Sequence, residues 1–344
     1  MKQKYLDIFK NLQVSQDIND RVLICDSLNL FIRCFAANPT ISDAGNHVGG
    51  IVGFLKAMGY YIRTFNATRC IMVFDGRGGS VRRRKLLPSY KGNRVVKDRL
   101  HRTETFNSAQ EESESMRQQL SRLLEYLNKL PVTCISIDNI EADDTIAYLT
   151  NQYFEEKSKQ ITIVSTDKDF LQLVSPKISI FSPTKKVIYT PKKLAEEFNF
   201  HPNNYILYRV LTGDTGDNIP GIKGLGLKTM LKIIDLTNEC TLEDIKSQLE
   251  ESSKTSKIKM VNQILDNWKT VELNYKLMQL DKTVISASSK LAIQSLSEGK
   301  INILNTTHLR KLSLEDQIYG NFTSIDEWAN STFSKLNAHA IQNG

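Results

Sequence analysis

Four short runs constrain the fold of this chain more than any other feature: VLIC at 22–25, CIMVF at 70–74, VTCISI at 132–137 and ITIVS at 161–165. They are rich in β-branched residues and almost wholly apolar, as expected of strands covered on both faces of a parallel sheet. Between the third and fourth runs, DTIAYLTNQYF has helical spacing, with Ile146, Leu149 and Tyr153 on one side. Strand and helix alternate, which predicts a wound α/β architecture around a central, mostly parallel sheet. With 344 residues, 40% of them hydrophobic, the chain can bury one large core or two smaller ones.

The residues after these strands carry the next inference. Asp26 follows the first, Asp75 the second, Asp138 and Glu141 the third, and Asp167 with Asp169 the fourth. Ligands of open parallel sheets bind beyond the carboxyl ends of the strands. One Asp at such a place is most simply a helix N-cap, but four strands in succession make capping alone a poor explanation.

A long helix is expected over about 108–130, where Met116, Leu120, Leu123, Leu127 and Leu130 recur in steps of three and four and Pro131 stops it. Past residue 200, GDTGDNIPGIKGLGLKTMLKII reads as a glycine-rich turn feeding a helix. The remainder reads as mostly helical, with a polar break at 251–257 and a frayed, Asn-rich end at 330–344.

IEADD crowds Glu141, Asp143 and Asp144 into four positions. With Asp26, Asp75, Asp167, Asp169, Asp214 and Asp217 they form a set of carboxylates that the topology can gather. Two carboxylates about 4 Å apart repel by about 4 kcal/mol at an effective dielectric near 20, so such a set needs cations or protons. Glu141 and Asp144 share a face of the first helical turn, and Asp143 can turn inward. Oxygen ligands without His or Cys favour hard ions, Mg²⁺ or Mn²⁺. Two such ions stabilise the attacking and leaving oxygens of a phosphodiester displacement. The plainer alternative is a solvated helix start and a surface turn.

The net charge of +7 is unevenly spread: residues 76–106 hold ten Lys or Arg against two acids, and the rest of the chain nets −1. One basic stretch beside an acidic pocket suggests nucleic-acid hydrolysis. Five scattered cysteines without CxxC spacing indicate neither a disulfide framework nor a zinc site. The first twenty residues lack an apolar leader core, and no apolar stretch has membrane-spanning length, so a cytoplasmic protein without membrane contact is expected.

LICDSLNLFIRCF, VFDG, LPSYKGNR, IEADD, VSTDKDF and GDTGDNIPGIKGLGLKT together resemble, in order over 22 to about 235, the structure-specific 5′ nucleases. That superfamily comprises flap endonucleases and 5′→3′ exonucleases, including the 5′ nuclease domain of bacterial DNA polymerase I. Phage enzymes look the closer likeness, because Gly216 replaces a serine common in bacterial versions. The resemblance implies a PIN-like α/β domain over 21–200 after an N-terminal extension, 1–20. A basic helical arch over 76–130 and a helical DNA-binding region over 201–344, with a helix-hairpin-helix at about 213–235, would complete it.

It also implies roles. Asp75, Glu141, Asp143, Asp167 and Asp169 would build a tighter Mg²⁺ or Mn²⁺ site, with Asp26 acting through water, and Asp144, Asp214 and Asp217 would serve a second ion. Lys91, assisted by Arg94, would contact the scissile phosphate, where charge accumulates in the transition state. Arg33, Arg82, Arg83 and Lys85 would bind nucleic acid, and Tyr90 would stack on a base or simply pack. Gly224, Gly226, Lys228 and Thr229 would bring the hairpin to the phosphodiester backbone, with K⁺ as a further ion there. The implied substrates are DNA with a 5′ flap, nick or RNA primer, with RNase H-like cutting included. A monomer and a single-strand-binding partner are the implied assembly. The rival readings are a PIN-like endoribonuclease, which would lack the glycine hairpin, and a DNA-binding subunit without catalysis.

Overall fold

The computed structural model describes residues 17–93, 101–102, 106–255, 258–281 and 285–342. Its centre is a six-stranded sheet of β1 (Arg21–Asp26), β2 (Arg69–Val73), β3 (Thr133–Ile135), β4 (Gln160–Val164), β5 (Ile178–Ser182) and β6 (Val187–Tyr189). The spatial order is β3-β2-β1-β4-β5-β6. The first five are mutually parallel and β6 closes the edge antiparallel to β5. The chain winds outward from β1 first to one side and then to the other, so the direction of winding reverses between β1 and β4. Loops leaving those two strands part there and leave a crevice at the carboxyl ends.

α1 (Ser27–Ala37) and α2 (Gly49–Thr64) follow β1, and α3 (Val81–Leu86) and α4 (Ala109–Leu127) follow β2. α5 (Ala142–Tyr148) joins β3 to β4 and continues into one wider turn, Leu149–Tyr153. Alternate strand residues serve opposite faces, as a pleated strand requires. Val22, Ile24, Ile71, Val73, Ile161 and Ile163 pack with Ile146, Leu149 and Tyr153 of the α5 segment. Leu23, Cys25, Cys70, Met72 and Val164 pack with Phe31, Phe35, Phe54 and Leu123 of α1, α2 and α4. These strands are therefore apolar at almost every interior position because both faces are covered. The third strand is shorter than the VTCISI run, and β5 and β6 were not foreseen. Pro183 and the polar turn at 183–186 divide them into pieces too short to register as strands.

The C-terminal helices are α6 (Pro191–Phe198), α7 (Tyr205–Thr212), α8 (Leu227–Ile233), α9 (Leu242–Thr255), α10 (Lys259–Asp266), α11 (Trp268–Met278), α12 (Ala287–Glu298), α13 (Thr306–Glu315) and α14 (Ile325–Gln342). Buried Asn274 of α11 fixes the turn after α7, donating to the carbonyls of Val210 (2.9 Å) and Pro220 (2.7 Å). The polar break expected at 251–257 is helical through Thr255, and residues 256–257 lie outside the described part. The expected frayed end is also helix as far as Gln342. Ala329, Phe333, Leu336 and Ala340 fall at helical spacing and are all buried, a stripe that the Asn-rich composition obscured. α13 and α14 lie on the α2 and α4 side of the sheet rather than with α7–α11. Tyr126 donates to Asp316 Oδ2 at 2.8 Å, and Arg122 Nε donates to the same carboxylate.

Candidate metal centre and nucleic-acid cleft

The crevice is floored by carboxylates held through neutral donors. Asp26 ends β1 and caps α1, accepting from the Asn29 N–H at 3.4 Å, while its other oxygen accepts from Ser165 Oγ at 2.8 Å. The same serine oxygen accepts the Asp167 N–H at 3.0 Å. Asp167 in turn caps the 3₁₀ turn Lys168–Leu173, accepting the Asp169 N–H at 2.8 Å. Asp75 accepts the Ala142 N–H at 2.8 Å, tying the end of β2 to the first turn of α5. Capping and clustering thus occur together: Asp167 and Asp75 each use one oxygen as a backbone acceptor, and both lie close enough to Asp26 to repel it. Burial pushes the Asp26 carboxyl up to about 7, with Asp167 and Asp75 adding repulsion against the Ser165 hydrogen bond. Asp167 still reaches solvent, but enclosure by the crevice raises it, helped by repulsion from Asp143, Asp217 and Asp214. The floor and the opposite wall therefore share one field.

That wall is the start of α5. Glu141, Asp143 and Asp144 each bring one oxygen within 4.8 Å of the others, a spacing that suits a metal ion. Glu141 and Asp144 are buried and Asp143 is half-buried. Here the structure corrects a sequence expectation. Arg83 is not a surface contact for nucleic acid: its side chain is 3% exposed and its guanidinium is the internal counter-ion of this wall. It forks onto Asp144 at 2.9 and 3.1 Å, meets Asp143 at 3.2 Å, bonds Glu141, and anchors on the Leu277 carbonyl at 2.9 Å. Burial opposes its charge, but the carboxylates overcome this and hold its pKa above the ordinary value. Asp144 is nevertheless pushed up to about 6, by burial first and Asp143 second, with Arg83 and Arg82 opposing. Arg82 reaches Asp144 from the rim at 3.3 Å.

Tyr90 is packed rather than available for stacking. Its ring is buried and its hydroxyl lies 3.1 Å from Glu141 Oε2 and 3.1 Å from Asp217 Oδ2. Lys91 sits in the left-handed region (φ 56°), its N–H donating to the Asp217 carbonyl at 2.9 Å and its ammonium to Glu141 Oε1 at 2.8 Å. Burial would discharge it, but Glu141, Asp143 and Asp217 raise its pKa. A cation on a flexible stem is thus stored at the edge of the cluster.

The glycine-rich turn supplies the remaining acids. Gly213 has φ +70°, and a Cβ there would lie 2.3 Å from the Gly221 nitrogen, so the chain reverses at this place only with glycine. The turn carries Asp214, whose Oδ1 accepts from the Gly216 (2.6 Å) and Asp217 (3.2 Å) N–H groups. Arg209 of α7 bonds Asp214 and donates to Asp169 at 2.9 Å. Burial drives Asp169 up to about 7, Asp167 adds to this, and Arg209 opposes it. For Asp214, burial also raises the pKa, but Arg209 and the two backbone donors prevail and the net shift is downward. Arg209 and Ser165 were not foreseen. The available signals were slight: a lone Arg five residues before Asp214, and the serine of VSTDKD.

Among the expected nucleic-acid contacts, Lys85, Gly224, Gly226 and Lys228 are exposed and Thr229 is half-buried at the start of α8. Gly224, at φ +80°, turns the chain into that helix. Arg33 lies half-buried on α1 and donates to Thr184 Oγ1 at 2.6 Å. Arg94 lies outside the described residues. The donor set consists of carboxylate oxygens whose burial, with mutual repulsion added, raises several pKa values, and it fits hard divalent cations.

The comparisons with known proteins agree with this geometry. The 5′-3′ exonuclease N-terminal, resolvase-like domain matches residues 21–199, and the 5′-3′ exonuclease C-terminal SAM fold matches residues 200–298. The chain belongs to the 5′-3′ exonuclease family. It is 31% identical over 269 residues to a 5′-3′ exonuclease of Buchnera aphidicola subsp. Acyrthosiphon pisum, covering 76% of this chain and 87% of that one. It is 30% identical to the thermostable DNA polymerase I of Thermus aquaticus over 62% of this chain, which is 24% of the polymerase. The fold is similar to that of the bacteriophage T5 D15 flap endonuclease in a pseudo-enzyme-product complex with DNA and metal ions. That match has TM-score 0.62 and 21% identity and covers 92% of this chain and 99% of that one. A T5 5′-exonuclease with bound zinc ions gives TM-score 0.61 at 22% identity, over 86% and 98% of the chains. No helix among the described residues is long and apolar enough to cross a membrane.

Proposed function

We propose that this nuclease is structure-specific, cutting a phosphodiester near the junction of a single-stranded 5′ end and a duplex, both as a 5′→3′ exonuclease and as a flap endonuclease. The observation that carries this reading is the convergence of carboxylates from β1, β2, β4, α5 and the glycine-rich turn on one crevice, with Lys91 and Arg82 at its edge. Asp75, Glu141, Asp143, Asp167 and Asp169 would hold one Mg²⁺ or Mn²⁺, Asp26 would act through water, and Asp144, Asp214 and Asp217 would hold a second. When bound, such ions activate water and neutralise charge on the phosphate oxygens.

The chain's own residues supply the rest. Ser165 and the N–H groups of Ala142 and Asp169 fix the carboxylates in place before any cation arrives. Lys91 exchanges its bond to Glu141 for one to the scissile phosphate, bringing positive charge where the transition state becomes more negative. Lys228 and the backbone at Gly224 and Gly226 hold the duplex backbone, with K⁺ aiding there, and such contacts read shape rather than sequence. The substrates would be 5′ flaps, nicks and RNA primers in DNA replication, met by a monomer that works beside a single-strand-binding protein.

Incubation with Mg²⁺ and 5′-flap, nicked and RNA-primed duplexes, beside an isolated single-stranded RNA, tests this reading. Junction-proximal cuts leaving 5′-phosphate ends are expected. Inactivity on all three duplexes overturns it, and cutting of the single-stranded RNA alone favours an endoribonuclease.

A further inference from the structure

The basic stretch is held at its two ends by different networks. At the crevice, Arg82, Arg83 and Lys91 meet the acids of α5. Toward its far end, His101, Arg102 and Phe106 dock instead on α1, α4 and the loop that leads into α2. The Arg102 N–H donates to the Ala36 carbonyl at 3.1 Å, and the His101 N–H donates to buried Glu112 of α4. Phe106 stacks on Phe35 of α1, with ring centroids 5.7 Å apart. The imidazoles of His47 and His101 are buried, edge to face and 4.5 Å apart. Nε2 of each lies on the same oxygen, the Asn38 carbonyl, at 2.8 and 3.3 Å. Gly49 makes room for this junction: a Cβ there would lie 1.9 Å from that oxygen and 2.7 Å from His47 Nε2.

Gln119 of α4 decides which nitrogen of His47 carries the proton. Its Oε1 accepts the N–H groups of Gly50 at 2.9 Å and Ile51 at 3.4 Å, at the start of α2, which leaves the amide nitrogen facing His47. That nitrogen donates to the His47 carbonyl at 2.8 Å and stands 3.0 Å from Nδ1. An amide N–H only donates, so Nδ1 accepts, and the ring proton sits on Nε2, from which it is donated to Asn38. Burial, helped by His101, keeps the pKa of His47 below its ordinary value, against the Asn38 carbonyl and Glu112. The ring is thus a neutral link of fixed direction between α4 and Asn38.

We propose that His47, oriented by Gln119, is a positioning residue for flap substrates: it anchors the far end of the basic stretch, whose cations meet a single-stranded 5′ end. This rests on the nuclease reading above. Cations attract the phosphates of a single strand wherever they stand, but groups ordered before the substrate arrives contribute more than groups that must be ordered on binding. The near end of the stretch is already tied to the metal centre through Arg83 and Lys91, so His47 and Asn38 supply the second tie. A nicked duplex without a flap has no free single strand to meet the stretch. Nor does this network touch the carboxylates of the crevice among the described residues. His47 therefore favours flap cutting over nick cutting.

The test is single-turnover cutting of a 5′-flap duplex and of a nicked duplex without a flap, by wild type, His47→Phe and His47→Gln. His47→Phe keeps a ring against Phe35 and Phe106 but has no donor for Asn38. It is expected to slow flap cutting about tenfold, inside the roughly hundredfold that a small misplacement can cost, and to change nick cutting less than about twofold. His47→Gln, whose amide again offers Asn38 a donor, should recover most of the flap rate. Nitrogen NMR of the wild-type ring gives a reading that does not depend on how the variants fold: a neutral His47 protonated on Nε2 is expected at neutral pH. Equal losses on flap and nick by a folded His47→Phe, undiminished flap cutting by it, no recovery in a folded His47→Gln, or a ring protonated on Nδ1 would each overturn the proposal and leave the nuclease reading intact. Failure of wild type to cut either duplex would instead remove the nuclease reading.

Discussion

The two sides of the crevice neutralise their charge in different ways. On the α5 side, Glu141, Asp143 and Asp144 are stitched together by buried Arg83, with Lys91 and Arg82 at the margin. On the strand side, Asp26, Asp75 and Asp167 accept hydrogen bonds from neutral groups, a serine hydroxyl and backbone N–H groups, among the described residues. Opposite charge inside the protein lets the first wall fold without a metal. Among the described residues the second wall has no such ion-pair partner, and burial first, with mutual repulsion added, raises the pKa of Asp26 and Asp167. If the carboxylates hold metal ions as proposed, the contrast predicts that the strand side would need the ion most and that the α5 side is pre-assembled to share it.

Several measurements break or sharpen that contrast. Asp167→Asn on the strand side is expected to slow Mg²⁺-dependent cutting of a 5′-flap duplex by about a thousandfold, the upper range for removing one preorganised electrostatic group; a loss below tenfold would remove Asp167 from the metal site. Arg83→Ala on the other side is expected to cost about 3 kcal/mol of stability in urea unfolding with EDTA, because two buried acids and half-buried Asp143 lose their counter-ion. Mg²⁺ should restore part of that loss, and an unchanged midpoint would show the guanidinium to be dispensable. Lys91→Ala should slow cleavage about a hundredfold while changing the Kd for flap DNA less than threefold; equal losses would make Lys91 a simple phosphate anchor.

The smallest effect concerns pH without metal. Asp26 and Asp169 titrate near 7 in the fold, above the ordinary value of about 3.9. Between those values the native state binds more protons than the unfolded chain, so stability falls as pH rises. The metal-free protein should therefore melt at a higher temperature at pH 5.5 than at pH 8, with a smaller difference in Asp26→Asn. A melting temperature that rises over this range in EDTA would contradict the assignment.

The sequence made much of this legible. Four apolar runs marked the parallel core because both faces are covered, and acids placed just after strand ends pointed to the crevice. What it concealed were pairings between distant parts of the chain. Arg83 sits in a basic run indistinguishable by composition from its exposed neighbours Arg84 and Lys85, and only its distant partners, the α5 carboxylates and the Leu277 carbonyl 194 residues away, turn it inward. Tyr90 was open to two readings until Glu141 and Asp217 closed on its hydroxyl. Arg209 had no signal beyond its spacing from Asp214. The helix at the C-terminus was hidden by surface asparagines over a buried apolar stripe.

The most direct test of the contrast is calorimetric titration of Mn²⁺ into the wild-type protein, Asp167→Asn and Asp144→Asn without DNA. Loss of the tighter ion in Asp167→Asn and its retention in Asp144→Asn, with only the weaker ion affected there, is the expected result. Retention of the tighter ion in Asp167→Asn with its loss in Asp144→Asn would contradict it.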